Sequence, residues 1–127
     1  MAGTVIQIES KTEQNENFRQ VLITTTQQQL VLMCLQPGED IGQETHDSVD
    51  QFFRIESGTG TCFMDGTTQK VGAGDSITIP MGVEHNLTND SDSSKLKLYT
   101  IYSPPQHRDG TIHQTKADAL KDEADHA

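Results

Sequence analysis

The sequence predicts an all-β protein, either a closed barrel or a double-sheet jelly roll. Short runs rich in β-branched and aromatic residues recur along the chain, and Gly, Pro, Asp and Asn separate them. Eight or more such runs fit into 127 residues. Closing the sheets on themselves would hide most strand edges. This length predicts one domain over residues 1–127, with a barrel core at about 18–103.

The strand predictions depend on where these punctuating residues fall. An Asp65-Gly66 pair between two short runs indicates a tight hairpin turn. The predicted strands cover residues 18–26, 28–36, 49–57, 60–65, 67–71, 76–80, 84–90 and 96–103.

Only the tail of the chain predicts a helix. Pro104-Pro105 ends the last strand, and residues 104–127 form a loop followed by that helix. Thr115 is the expected N-cap, and Asp118 lies three residues later, where it can complete a capping box.

Charge and composition narrow the possible partners and the compartment. The net charge of −10 argues against nucleic acid and against an anionic membrane surface, because both require clustered Lys and Arg. No apolar run is long enough to span a bilayer, and residues 1–10 lack the pattern of a secretion signal. A cytoplasmic protein is expected. Cys34 and Cys62 are isolated in sequence and predicted to be buried free thiols.

The core is lean for a domain of this size. Hydrophobic residues make up 32% of the chain, and there is no Trp. Additional apolar surface could be buried in an oligomer, so we expect a homodimer. Phe52 and Phe53 are interpreted as packing and interface residues and not as a substrate platform.

Four polar residues are candidates for a metal site. Glu44 and His46 are two apart, so on an extended segment they share a face. Gln51 begins the next extended run, and His85 lies at a later strand start. Taken singly, such side chains usually face water. Together, at strand ends of a small barrel, they could converge on a borderline or hard divalent ion.

Their joint spacing resembles that of the cupin family. GEDIGQETHDSVDQFFRIESG matches the first cupin motif with two ligand types changed, and GDSITIPMGVEHNLTN matches the second completely. The resemblance spans roughly residues 20 to 103 and implies a double-stranded β-helix, or jelly-roll barrel, with a short C-terminal helix. The positions in the motifs that specify the scaffold are Gly38, Gly58, Gly74, Pro80 and Gly82, and Asn89 is a further matched position of the second motif.

The resemblance implies that Glu44, His46, Gln51 and His85 bind one divalent metal ion per chain. Glutamate stands where the family has its first histidine, and glutamine stands where it has its glutamate. The carboxylate has therefore moved within the set and has not vanished. Two imidazoles and one carboxylate form a harder site than three imidazoles, which favours Mn²⁺. Fe²⁺, Ni²⁺ and Zn²⁺ remain plausible.

Candidates for proton transfer lie near the last strand and in the loop after it. They are His107, Tyr99 and Tyr102, with His113 as a further loop histidine. The loop is long enough to fold over the barrel mouth. A solvated loop histidine is the simpler interpretation of His107. Gln51 is neutral and cannot act as a general base.

Three functions are compatible with these residues. The first is a small metalloenzyme that binds a small polar metabolite, a sugar or a keto or hydroxy acid, with isomerase, lyase or dioxygenase chemistry. The second is a non-catalytic module that senses a sugar or a metal, and the third is a domain with vestigial ligands. Many related cupins are labelled mannose-6-phosphate isomerase-like. Phosphosugar binding requires a pair of Lys or Arg residues at the barrel mouth, however. Because Arg19, Arg54 and Arg108 are the only arginines, the sequence gives this label little support.

Overall fold

The computed structural model describes residues 3–125, which form nine β-strands and two α-helices. The all-β prediction is confirmed, and the strands account for every run that the sequence predicts. The elements are α1 (Ile8–Gln14), β1 (Arg19–Thr24), β2 (Gln29–Leu35), β3 (Asp50–Ser57), β4 (Thr59–Met64), β5 (Thr67–Gly72), β6 (Ser76–Ile79), β7 (His85–Thr88), β8 (Leu96–Ser103), β9 (Ile112–His113) and α2 (Lys116–Asp125).

Two antiparallel sheets enclose the core. One sheet has the strand order β6-β3-β8-β2-β1-β9, and the other has the order β5-β4-β7. Period-2 alternation places Phe53 and Ile55 of β3 on the inner face, where they pack with Leu98 of β8. The inner faces of both sheets contribute to one cluster, as in a jelly roll. The strand ends and the loops that join them therefore surround the opening of the barrel, which is called its mouth below.

The predicted hairpin joins β4 to β5. Asp65 and Gly66 have φ angles of 52° and 80°, so both residues adopt the left-handed conformation that a two-residue turn of the I′ type requires. The two strands are paired in register from Met64 opposite Thr67.

Glycines of the two motifs lie at sharp turns, as predicted, and Gly58 has a second reason to be glycine. A Cβ atom on Gly58 would lie 2.5 Å from the carbonyl oxygen of Lys95, which is too close for any side chain. This contact packs the β3–β4 turn against the start of β8. The motif glycines with positive φ are Gly38, Gly58, Gly74 and Gly82.

The prediction that only the tail is helical was wrong, because α1 precedes the barrel. This seven-residue helix has no side-chain N-cap and no apolar stripe, so its sequence carries no helix signal. Contacts with the barrel hold it instead: Lys97 of β8 donates a hydrogen bond to the carbonyl oxygen of Glu13 at 2.6 Å. Local propensity is weak here, and tertiary packing decides.

The C-terminal helix is confirmed as α2, and so is its capping box. The backbone N–H of Asp118 donates to the Thr115 hydroxyl at 3.1 Å, and the N–H of Thr115 donates to the Asp118 carboxylate at 3.3 Å. Just before α2 lies the short strand β9, which the sequence did not predict. It pairs with β1 so that His113 is opposite Arg19.

Two further predictions concern thiols and membranes. Cys34 and Cys62 are buried and free, as expected. Neither helix within residues 3–125 has the length and apolar character needed to cross a bilayer.

Candidate metal centre

Glu44, His46 and His85 come together at one end of the barrel. Glu44 lies in the segment before β3, and His85 is the first residue of β7. One ligand atom from each of the three side chains lies within 4.8 Å of the others. Two atoms on one ion lie at most about 4.4 Å apart when metal–ligand bonds are about 2.0–2.2 Å, so small movements of the side chains would let a single ion contact all three.

The tautomer of His85 suits a metal ligand. Its Nδ1 lies 2.9 Å from the carbonyl oxygen of Val83, so Nδ1 carries the proton and donates it to that carbonyl. The other ring nitrogen, Nε2, is then left with its lone pair. A backbone carbonyl that fixes the opposite nitrogen is a common support for metal-binding histidines.

His46 contributes a ring nitrogen that has no hydrogen-bond partner. Its Nε2 is buried, and although Oε2 of Glu44 lies 2.9 Å away, the contact is not aligned as a hydrogen bond. Buried polar atoms are rarely left in this state. A cation between the two side chains would satisfy both the nitrogen and the carboxylate.

The Glu44 carboxyl is ionised at neutral pH. Burial opposes its ionisation, but the contact with His46 and the positive charge of Arg19 outweigh burial and lower its pKa. The group therefore offers a carboxylate, which is the form that a divalent cation requires.

Gln51, the fourth predicted ligand, is a buried residue of β3 opposite Tyr102 of β8, and its side chain has an unpaired oxygen. Its Nε2 donates to the hydroxyl of Thr100 at 3.0 Å, which sets the orientation of the amide. Its Oε1 is buried without a hydrogen-bond partner in the structure. The described residues thus present a carboxylate, two imidazole nitrogens and an amide oxygen, a donor set that fits a divalent ion.

A cavity of about 590 Å³ opens onto this centre, and His107 is part of its wall. Gln29 holds the backbone of His107 at both ends: Oε1 accepts from its N–H at 2.9 Å, and Nε2 donates to its carbonyl at 2.8 Å. Burial and the nearby charge of Arg19 lower the pKa of His107 to about 3, so its ring is neutral. The sequence favoured a solvated side chain here, and the structure shows one that is half-buried in the cavity wall.

Tyr102 connects His107 to the predicted ligands. Its hydroxyl lies 3.3 Å from Nε2 of His107, and its ring meets the His46 ring edge-on at 5.9 Å between centroids. Burial raises the pKa of Tyr102 well above its usual value, which keeps the phenol protonated. Tyr99 lies on the opposite face of β8, where its ring packs against Phe52. The structure does not bring Tyr99 to the centre.

The sequence analysis missed Arg19, which is buried and lines the same cavity. The sequence did contain a signal that could have identified Arg19 as an inward-facing residue. Arg19 alternates with Val21 along β1, so the period-2 pattern places a guanidinium on the face that points to the core. The other loop histidine, His113, also lines the cavity, and its Nδ1 lies 3.3 Å from Nη1 of Arg19.

An antiparallel jelly roll with polar side chains gathered at its mouth is an architecture that the cupin class of proteins shares with other jelly-roll domains. The Cupin domain family matches residues 31–102, which is more than half of the chain. The protein belongs to the cupin family.

Three relatives are similar over most of the chain. YrkC of Bacillus subtilis is 44% identical over 122 residues, which are 91% of this chain and 65% of YrkC. The protein L612 of Acanthamoeba polyphaga mimivirus is 42% identical over 85% of this chain and 69% of its own. The chain thus spans about two thirds of the length of these relatives. The crystal structure of BH2720 from Bacillus halodurans superposes with a TM-score of 0.92 and 42% identity, covering 94% of this chain and 95% of that one.

Proposed function

We propose that the protein is a cupin that binds one divalent metal ion through Glu44, His46 and His85, and that it is an enzyme acting on a small polar metabolite. The observation that carries the proposal is the convergence of the three ligand atoms within 4.8 Å. The buried, unpaired Oε1 of Gln51 supports a fourth contact. One carboxylate, two imidazoles and one amide oxygen favour Mn²⁺, with Fe²⁺, Ni²⁺ or Zn²⁺ as alternatives.

When bound, such an ion would act as a Lewis acid toward a carbonyl or a hydroxyl of the substrate. Glu44 would hold it as a carboxylate, and the lone pairs of the two histidines would complete the contact. Because Glu44 and Gln51 are both committed to the ion, neither is available as a general base. Proton transfer then falls to other side chains of the cavity.

Tyr102 and His107 are the candidates for that transfer. The neutral ring of His107 is a hydrogen-bond acceptor, and the Tyr102 hydroxyl 3.3 Å away is a donor. Proton transfer through them requires that the bound ion and substrate bring the low pKa of His107 and the high pKa of Tyr102 closer to neutral pH. His107 lines the cavity, and the Tyr102 ring meets both the His107 ring and the His46 ring edge-on. Isomerase and lyase reactions on a sugar or on a keto or hydroxy acid involve proton transfer, which such a group near the polarised oxygen can assist.

Metal content tests the proposal directly. Elemental analysis of the parent should find near one equivalent of ion per chain, after purification or after loading with Mn²⁺. Glu44→Ala and His85→Ala should each lose it. Glu9→Gln, which changes an exposed carboxylate on α1, is the control and should keep it. A parent that loads none of the four ions would overturn the proposal.

Turnover separates the enzyme from a non-catalytic sensor of sugars or metals. The metal-loaded protein should convert at least one compound from a panel of sugars and keto or hydroxy acids. Tyr102→Phe and His107→Gln should lower kcat while the metal content stays near that of the parent. Metal that exchanges freely, with no turnover on the panel, would favour the sensor.

We also propose a cytoplasmic homodimer. Support for the compartment comes from the two free cysteines, which are ordinary in a reducing environment. Support for the dimer comes from the lean core and from the half-exposed aromatic residues Phe52 and Tyr99, which share the outer face of the larger sheet. Light scattering after size exclusion should give about twice the chain mass. A monomer at micromolar concentration would contradict the dimer.

A further inference from the structure

Arg19 is a buried cation whose hydrogen-bonding capacity is only partly used. Its side chain is 2% exposed, and its Nε is buried without a hydrogen-bond partner. A guanidinium carries five N–H donors, and burial makes each unpaired donor costly. A residue of this kind inside a lean core needs a reason to be charged.

The partners that Arg19 has do not neutralise it within the barrel. Nη1 donates to Nδ1 of His113 at 3.3 Å, and that acceptor is an uncharged ring nitrogen. The carboxylate that pairs with it, that of Glu123 on α2, lies 3.6 Å from Nη1 and is 55% exposed. This distance exceeds that of a good hydrogen bond, and an exposed ion pair contributes little.

Arg19 is held in place from behind. Because an arginine always donates, Nδ1 of His113 must accept, and the proton of the ring is then on Nε2. That nitrogen donates to Oδ2 of Asp122 at 2.8 Å. The chain from Asp122 through His113 to Arg19 fixes the guanidinium before any ligand arrives, which lowers the entropy cost of binding.

From these contacts we propose that Arg19 binds the carboxylate of the substrate, and that His113 is a positioning residue for it. The inference rests on the proposed function, because Arg19, Glu44 and His46 line one cavity of about 590 Å³. A ligand with a carboxylate at one end and a carbonyl or hydroxyl oxygen beside it matches this arrangement. Small keto and hydroxy acids have that chemistry, and neutral sugars lack it.

A single guanidinium favours a carboxylate over a phosphate. The other arginine of the cavity, Arg108, is already engaged, since its Nη2 donates to both carboxylate oxygens of Asp122 at 3.0 and 3.1 Å. A phosphate dianion is usually held by several donors or cations. A single guanidinium can form two parallel hydrogen bonds with one carboxylate, and the single charges of the two groups match.

Binding should be measured by calorimetry on the metal-loaded protein with lactate, pyruvate, lactamide and inorganic phosphate. Lactamide keeps the hydroxyl of lactate and removes only the charge. We expect lactate or pyruvate to bind the parent and lactamide and phosphate to bind far more weakly. Arg19→Gln should weaken carboxylate binding about 10- to 100-fold, as for loss of a charged hydrogen bond, with unchanged metal content.

Three further variants separate a binding role from a structural one. Glu123→Gln removes the carboxylate that competes for Arg19, so it should leave lactate affinity equal or raise it a few-fold. His113→Phe should weaken lactate binding while leaving lactamide binding unchanged. Arg19→Lys keeps the positive charge but loses the planar guanidinium, so its lactate affinity should lie between that of the parent and that of Arg19→Gln. Thermal unfolding of each variant confirms that it is folded.

The outcomes distinguish this inference from the proposed function. A parent that loads no metal overturns the proposed function. If that metal-free parent still binds a carboxylate, and Arg19→Gln abolishes the binding, the inference about Arg19 is supported. A parent that loads metal but binds none of the carboxylates, or binds lactate and lactamide equally, overturns the inference alone. So does unchanged lactate affinity in a folded Arg19→Gln variant. Tighter binding of phosphate than of lactate would also overturn it.

Discussion

Glu44 and His85 exchange two backbone hydrogen bonds, each 2.9 Å long, across an isolated β-bridge. The bridge attaches the segment before β3 to the start of β7 and sets these two predicted ligands opposite each other. His85 lies 41 positions after Glu44 in the chain. The backbone pairing, and not sequence proximity, therefore brings these two residues together. The geometry of the centre is therefore built before an ion binds.

A preformed centre predicts that metal stabilises the fold by simple mass action. A ligand that binds only the native state at about 100 times its Kd adds roughly 2.7 kcal/mol to the free energy of unfolding. Thermal unfolding of the parent should therefore shift upward as Mn²⁺ is added and return on chelation. Glu44→Gln should remove the shift, and Glu9→Gln should keep it. Equal shifts in parent and Glu44→Gln would place the ion elsewhere.

Gln51→Glu tests whether the amide oxygen faces the ion. A second carboxylate beside Glu44 should destabilise the metal-free protein, because like charges repel in a buried site. With metal present, the added charge should be compensated, so the metal-induced rise in unfolding temperature should be larger than in the parent. Glu39→Gln, on the loop after β2, serves as the control that alters charge outside the centre. A metal-induced shift equal to that of the parent would show that Gln51 lies outside the coordination sphere.

The sequence predicted the fold well where residue type and spacing act locally. Asp65, Gly66 and Gly58 have positive φ angles, which favour these residue types at turns. Alternation of buried and partly exposed residues along β3 places Phe53 on the inner face. The motif spacing likewise predicted Glu44 and His85 as neighbours. Each of these inferences needs only nearby residues or a fixed pattern.

What the sequence did not predict depends on distant contacts. Helix α1 is stabilised by Lys97, which lies 84 positions after Glu13. The role of Arg19 depends on His113, which lies 94 positions away on a strand of two residues. Short elements and long-range pairs leave little local signal, so tertiary structure had to supply them.

Gly58→Ala should destabilise the fold more than Gly38→Ala. Both glycines have positive φ, which costs alanine about 1–2 kcal/mol. Around Gly38 a Cβ atom meets nothing within 4 Å, whereas at Gly58 it would lie 2.5 Å from a backbone oxygen. We expect a loss of about 1 kcal/mol for Gly38→Ala and about 2–4 kcal/mol for Gly58→Ala. Chemical denaturation measures both, and equal losses would show that the β3–β4 turn relaxes freely.

Stability should fall in acid as the ion pairs of Glu16 are lost. Hydrogen bonds from Lys95 and Lys97, and the charge of Lys97, lower the pKa of Glu16 from its usual 4.5 to about 2. A depressed pKa means that the unfolded state binds more protons. The contribution is therefore complete above pH 4.5 and disappears as the pH falls toward 2. It should be small and should weaken with salt, because Glu16 is exposed.

The measurement compares unfolding free energies of the parent and Glu16→Gln between neutral pH and pH 2. The difference between the two proteins should be constant down to about pH 4.5 and should close below it. Glu9→Gln on helix α1 is the control, since Glu9 contacts no lysine among the described residues, and its difference from the parent should be near zero at neutral pH. A parent and Glu16→Gln that differ equally at all pH values would show that the side chain acts through packing and not through its charge. Lys97 would then hold α1 through the Glu13 carbonyl alone.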